Sequence, residues 1–230
     1  LDSVSLSYAQ QTNPDQDREA LRALRSLAAE LLSDVDWHVV LYTYMGVFPR
    51  TPGGATDLLA QAARLGVRGG AARLIVKTVA EAHRIPTIDE NVTALRVAGH
   101  AAARERAAIA MTPQADCPDT GIAAEARAIV TAVLDLHPSL DTALVRAVHA
   151  GLLDVPFCLH PDNPGRTGAT VDADGRLRWT RIGALPLRGL VTTGGRDVTT
   201  AASLLRSLSY VERRWDDETM ERAVREPARG

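Results

Sequence analysis

The period of the apolar positions changes along the chain, and each change marks an element. Val4 to Tyr8 alternates apolar and polar residues, which predicts a strand. Asn13-Pro14-Asp15 marks a turn and a helix start, because proline is tolerated in the first helical turn. Leu21, Leu24, Ala28, Leu31 and Leu32 follow at helical spacing. Trp37 to Thr43 predicts a second strand. Pro49, Pro52 and the pair Gly53-Gly54 predict a loop after it. A helix is expected from about Ala55 to Leu65, with Gly66 as its stop, and a third strand from Arg73 to Val76. Strand, helix, strand, helix, strand at this spacing argues for βαβ units and a parallel sheet.

The pattern then changes character. Asp89 is placed to cap a helix running through about Gly99 to Ile109. Helices are expected over about Gly121 to Leu136 and Leu140 to Ala150, punctuated by Pro113, Pro118 and Pro138. An irregular stretch spans Pro156 to Gly168. Thr170 to Thr180 reads as a hairpin around Asp174-Gly175, a strong turn dipeptide. An amphipathic helix is expected over about Thr199 to Val211, with a frayed charged end beyond it. This organisation predicts two parts, residues 1–111 and 112–230.

Composition adds less. Only 4% of the residues are aromatic, so Ala, Val and Leu must fill the core. The 26 basic and 28 acidic residues nearly cancel, which argues against a nucleic-acid partner. No apolar run reaches membrane-spanning length and no signal peptide is visible, so a cytoplasmic protein is expected. Cys117 and Cys158 have no ligand-like spacing; one disulfide is open to them, and two reduced thiols are expected. The six histidines form no cluster. P-loop, GxGxxG, GxSxG and HExxH motifs do not occur.

Candidate chemistry concentrates in Leu74-Ile-Val-Lys-Thr-Val-Ala-Glu-Ala-His-Arg-Ile-Pro-Thr87. Lys77 ends an apolar strand and Glu81 follows four residues later. The pair suits a plain surface ion pair, although the order Lys then Glu is the weaker one on a free helix. That plain reading is the commoner one on spacing alone, and the alternative is the carboxyl end of a parallel strand, where barrel enzymes place polar groups. There an ammonium donates and a carboxylate accepts, as vicinal ribose hydroxyls require. Phe48, in Tyr44-Met-Gly-Val-Phe-Pro49, is either a loop anchor or an apolar wall for a flat ring. Ile85 precedes Pro86 and is held extended.

These two segments, with Leu153-Asp-Val-Pro-Phe157, Asp174-Gly-Arg-Leu-Arg178, Gly183-Ala-Leu-Pro186 and the opening Ser5-Leu-Ser-Tyr8, resemble the large (epsilon) subunit of glutamate mutase, also called methylaspartate mutase. Asp17 and Ala20-Leu-Arg22 fit the same family. The resemblance implies an α/β fold, namely part of a (β/α)8 TIM-type barrel (its last strands and helices). A helical segment, a β-hairpin and a C-terminal helix would follow, packed on the barrel. It implies adenosylcobalamin as cofactor, with the cobalt ligated by a separate small subunit, which fits the absence of Asp-x-His-x-x-Gly here. The implied reaction is the reversible radical rearrangement of L-glutamate to threo-3-methylaspartate. Lys77 and Glu81 match the residues that hold the adenosyl ribose. Phe48 and Ile85 match two that line the adenosyl group. No catalytic residue and no metal ligand is expected on this chain.

The resemblance covers a subunit roughly twice this length, whose substrate-binding arginines, glutamate and tyrosines lie in the half that would precede Leu1. This chain is therefore expected to be the carboxyl-terminal half. It would depend on the missing N-terminal half and the small subunit, in a heterotetramer built on a large-subunit dimer. Two other readings stay open. One is a non-catalytic split or degenerate relative that acts as an assembly partner. The other is a mutase for a different amino acid, since Arg50-Thr51-Pro52-Gly53 departs from the family pattern.

Overall fold

The structure, a computed structural model, describes residues 3–112, 117–194 and 201–225, with the backbone alone for 201–204. The chain divides into two compact units. Unit 1 comprises Leu1–Pro118 and Ala201–Gly230, and unit 2 comprises Asp119–Thr200.

Unit 1 is built on a three-stranded parallel sheet in the order β1-β2-β3. The strands are β1 (Ser3–Ala9), β2 (Asp36–Tyr42) and β3 (Arg73–Ile75). Helices α1 (Pro14–Leu31) and α2 (Pro52–Gly69) connect them, and α3 (Ile88–Met111) follows β3. This is the βαβαβ order that the spacing predicts. Asn13 starts α1 by accepting the N–H groups of Asp15 and Gln16, with Pro14 in the first turn. Leu21 of α1 and Leu65 of α2 pack on Val39 and Leu41, two alternate residues of β2. Leu59, Ala60 and Ala63 of α2 meet Ala94, Ala98 and Ala101 of α3, so alanines do fill this core.

One face of the sheet lies under these helices and the other does not. Leu6, Tyr8, Trp37 and Leu74 belong to the covered face. Of the alternate positions, Ser3, Ser5, Ser7, Arg73 and Ile75 are exposed, His38 and Tyr42 are half-buried, and Val40 of the central strand is buried. Ser5 and His38 are hydrogen-bonded across this bare face at 2.9 Å.

Several boundaries differ from the expectation. Helix α2 begins at Pro52, with Thr51 as N-cap, so Gly53 and Gly54 are helical rather than loop. It passes Gly66 and stops at Gly70, which adopts φ +69° as a left-handed C-cap. Helix α3 is capped by Thr87 rather than Asp89. Thr87 and Glu90 form a reciprocal capping box.

Unit 2 contains α4 (Ile122–Leu134), α5 (Leu140–Ala150) and an antiparallel hairpin of β4 (Thr167–Val171) and β5 (Leu177–Ile182). The hairpin turns at Asp174-Gly175 as predicted, but its strands extend further on both sides. Trp179 of β5 donates its indole N–H to Glu125 of α4 at 2.9 Å. Returning to unit 1, α6 (Ala201–Leu208) and α7 (Tyr210–Arg225) replace the expected single helix and frayed end. The charged stretch stays helical through Arg225 because Val211 and Trp215, four residues apart, are buried. The predicted helix start at Thr199, the punctuating Pro113 and residues 226–230 lie outside the described residues. Among the described residues, no helix is long and apolar enough to cross a membrane.

Candidate functional site at the exits of β2 and β3

The carboxyl ends of β2 and β3 are tied together before their loops diverge. Thr43 donates both its backbone N–H (3.1 Å) and its hydroxyl (2.9 Å) to the carbonyl of Ile75. The buried Gln10, just past β1, donates to Gln61 at 3.0 Å and accepts the N–H of Tyr44 at 3.3 Å. Burial raises the Tyr44 phenol above its usual range.

Alternation fixes where Lys77 emerges. Leu74 and Val76 pack against the α2–α3 alanines. The intervening positions Arg73, Ile75 and Lys77 therefore fall on the bare side of the sheet. Beyond Lys77 the chain closes a compact turn. Glu81 donates its N–H to Thr78, and both His83 and Arg84 donate theirs to Ala80. This turn brings Glu81 back to Lys77, with Nζ 2.5 Å from Oε1. The spacing of four thus arises in a turn after a strand, not on a helix.

The Lys77 ammonium also stands 5.7 Å from the centroid of the Phe48 ring, a cation–π arrangement. Phe48 is buried, at 3% exposure, in a cluster with Tyr44, Ala55, Leu58, Val211 and Trp215. Its ring is a floor beneath the ammonium. Three of the four expected residues, Phe48, Lys77 and Glu81, are thus brought together. The fourth, Ile85, stands apart at 90% exposure and belongs to none of the three hydrophobic clusters.

The turn is held at both ends. His83 Nε2 lies 3.2 Å from the carbonyl oxygen of Arg50, linking the loops after β2 and β3. Arg84 makes a two-pronged contact with Glu90, at 2.9 and 2.7 Å. The Arg84 guanidinium and the Thr87 N–H hold the Glu90 carboxyl well below its ordinary range. A cleft of about 170 Å³ opens nearby between α2 and α3, lined by Ala55, Leu59, Val79, Glu90 and Ala94 among others. None of the four expected residues lines it.

A second polar arrangement sits at the exit of β1. Tyr8 donates its hydroxyl to Asp17 at 2.7 Å, and the Gln11 N–H donates to the same oxygen at 2.9 Å. Burial pushes the Asp17 carboxyl up to about 7, and the two donors only partly oppose it. Burial and the neighbouring carboxylate together raise the Tyr8 phenol. Both residues stand in the resemblance, which assigns them no role. The signal for their pairing is a tyrosine at a strand exit, followed nine residues later by an acidic residue in the first helical turn.

Parallel strands connected by helices, with Lys77, Glu81 and Phe48 gathered at one end of the sheet, define an α/β protein. Residues 1–203 match the family described as Methylaspartate mutase E chain (MutE), and the chain belongs to that family. It is 34% identical over 191 residues to the glutamate mutase epsilon subunit of Desulfitobacterium hafniense (strain Y51), a match covering 80% of this chain and 40% of the relative. It is 31% identical over 192 residues to that of Yersinia enterocolitica, and 30% identical over 187 residues to that of Halobacterium salinarum. The matched part spans about 40% of the length of these relatives.

Proposed function

We propose that this chain supplies the carboxyl-terminal part of the large subunit of an adenosylcobalamin-dependent glutamate mutase. In that reading β1, β2 and β3 are the last strands of a (β/α)8 barrel. The bare sheet face supports it, because parallel sheets are ordinarily covered on both sides. Residues 1–111 would form this part of the barrel, and residues 112–230 would pack on it. The missing N-terminal half of the barrel would supply the other strands and the substrate-binding groups. A separate small subunit would hold the cobalt, and two large and two small subunits would assemble as a cytoplasmic heterotetramer.

The observation that carries the reading is the Lys77–Glu81 pair above Phe48 at the exit of β3. The donor set fits an adenosyl ribose. An ammonium has three N–H groups, only one of them directed at Glu81, and a carboxylate has lone pairs beyond those that one bond uses. Bound adenosylcobalamin would supply the radical chemistry that interconverts L-glutamate and threo-3-methylaspartate. The chain's own residues bind and orient. Lys77 would hold the ribose hydroxyls as a donor and Glu81 would hold them as an acceptor. Phe48 supports the ammonium from below. Ile85, on the exposed end of the same segment, offers an apolar contact to the adenosyl group.

The test is Glu81→Gln in the complete assembly of both barrel halves and the small subunit. The expected outcome is about tenfold weaker adenosylcobalamin binding, equivalent to about 1.4 kcal/mol, together with slower cobalt–carbon homolysis. Wild-type affinity and wild-type homolysis in that variant would sink the assignment.

A further inference from the structure

The loop that carries Phe48 is held by a helix outside the family match. The match ends at residue 203, and α7 begins at Tyr210. Val211 and Trp215 of α7 enclose the Phe48 ring together with Tyr44, Ala55 and Leu58. Asp216, one residue on, takes three hydrogen bonds from the loop. The Arg50 N–H donates to Oδ2 at 3.0 Å, and the Thr51 N–H donates to Oδ1 at 3.0 Å. The Thr51 hydroxyl donates to Oδ1 at 2.6 Å. That hydroxyl itself accepts the Gly54 N–H at 3.1 Å. Asp216 thus extends the N-cap of α2 with a full negative charge, the sign that a helix N-terminus favours. Glu212 adds an ion pair to Arg50 at 2.8 Å, and Arg222 pairs with Asp57 of α2.

The glycine pair shows that this approach is built into the loop. A Cβ on Gly54 would stand 2.9 Å from Asp216 Oδ1 and 3.0 Å from the Trp215 carbonyl oxygen. A Cβ on Gly53 would stand 2.7 Å from the Thr219 methyl carbon. A larger residue at Gly54 would crowd the backbone of α7 and the Asp216 carboxylate, and one at Gly53 would crowd the Thr219 side chain. On its other side the loop reaches the turn of Glu81, through His83 and the Arg50 carbonyl.

We propose that Asp216 is a positioning residue for the site: by fixing Arg50 and Thr51 it keeps the Phe48 ring under Lys77 and keeps the Arg50 carbonyl on His83. Helix α7 is then a working part of the site. The consequence for the cofactor rests on the reading of Lys77 and Glu81 proposed above, whereas the hold on the loop does not.

The two parts are tested separately in the complete assembly. Amide hydrogen exchange across residues 50–54 reads the hold. It should rise at least tenfold in Asp216→Ala and by less in Asp216→Asn, whose Oδ1 still accepts from Thr51. Titration with adenosylcobalamin reads the positioning. The apparent KM for the cofactor should rise about five- to tenfold in Asp216→Ala, with kcat at saturation within twofold of wild type. Glu221→Gln, which breaks only the exposed ion pair to Arg225 within α7, should leave both readouts unchanged. Unchanged exchange in both Asp216 variants would overturn the hold. Faster exchange with an unchanged cofactor KM would overturn the positioning role. A wild-type assembly that binds no adenosylcobalamin would instead sink the function proposed above, and the role of Phe48 with it. An Asp216→Ala chain that fails to fold is covered by Asp216→Asn, in which wild-type values for both readouts would overturn the proposal.

Discussion

Units 1 and 2 solve the same problem, holding a chain with few aromatic residues, by different means. Unit 1 packs. Leu21, Val39, Leu41, Leu58 and Ala62 are essentially sealed from solvent, and the three hydrophobic clusters found among the described residues lie within it. Unit 2 pins. It buries fewer apolar residues, Val133, Ala143, Ala147, Leu185 and Leu187, leaves Leu140, Val145, Phe157 and Leu159 exposed, and adds carboxylates that collect backbone N–H groups. Asp154 accepts from Gly165, Arg166 and Thr167 and from the Asn163 side chain. Asp172 accepts from Asp174, Arg176 and the Arg178 guanidinium.

The contrast extends to charge. For Asp154, burial alone would raise the carboxyl, but the N–H donors outweigh it and the group lies below its ordinary range. For Asp17 of unit 1, burial wins and the group lies above it. A lowered carboxyl stabilises the fold above its unfolded-state pKa, and that contribution is lost as pH falls through the folded value. A raised carboxyl does the reverse. Its contribution is complete at low pH and is lost as pH rises through about 7. Acid should therefore loosen unit 2, whereas the β1–α1 corner of unit 1 should loosen as pH rises from the ordinary carboxylate range to about 7.

The largest effect expected from this contrast is in the packed unit. Leu41→Ala, at a fully buried position, should lower the exchange free energy of the β2 amides by about 2–5 kcal/mol and leave the β4–β5 amides unchanged. Equal losses in both units would mean that they unfold as one body. Next comes the pinned unit. Asp154→Ala leaves three backbone donors without their acceptor and should cost about 1–3 kcal/mol, read at the amides of residues 165–167. A Leu185→Ala loss larger than this would show that packing dominates unit 2 as well. The smallest effect is the pH slope at Asp17. Asp17→Asn retains an oxygen that accepts from Tyr8 and Gln11, so protection of the Gln11 amide should become independent of pH between 5 and 8. At pH 8 the variant should be more protected than the wild type. A slope that persists unchanged in the variant would assign it to another group.

The same contrast explains what can be read from the residues alone. The elements of unit 1 that pack through a regular stripe, β1, α1, β2 and β3, are legible because burial follows period. The start of α2 is not, because Pro52-Gly53-Gly54 has loop chemistry. Those glycines answer to Trp215, Asp216 and Thr219, more than 160 residues later. Helix α7 reads as a frayed end because its stretch is mostly charged and only Val211 and Trp215 reveal the buried side. The capping box of Thr87 and Glu90 is visible as Thr-x-x-Glu, but Asp89 competes with it as a cap by residue type. At the site, Lys77 and Glu81 are legible from their place behind a strand. The position of Phe48 beneath the ammonium is not, since it depends on loops converging from two strands and a distant helix.

The separation of 165 residues between Thr51 and Asp216 has a consequence for biosynthesis. At about 5–20 residues per second, a ribosome needs roughly 8–33 s to make the intervening chain. During that interval the Phe48 loop exists without its anchor. A nascent or proteolytically shortened polypeptide would carry the Phe48 loop without the carboxylate that fixes Arg50 and Thr51, so quality control that clips α7 would also release this loop.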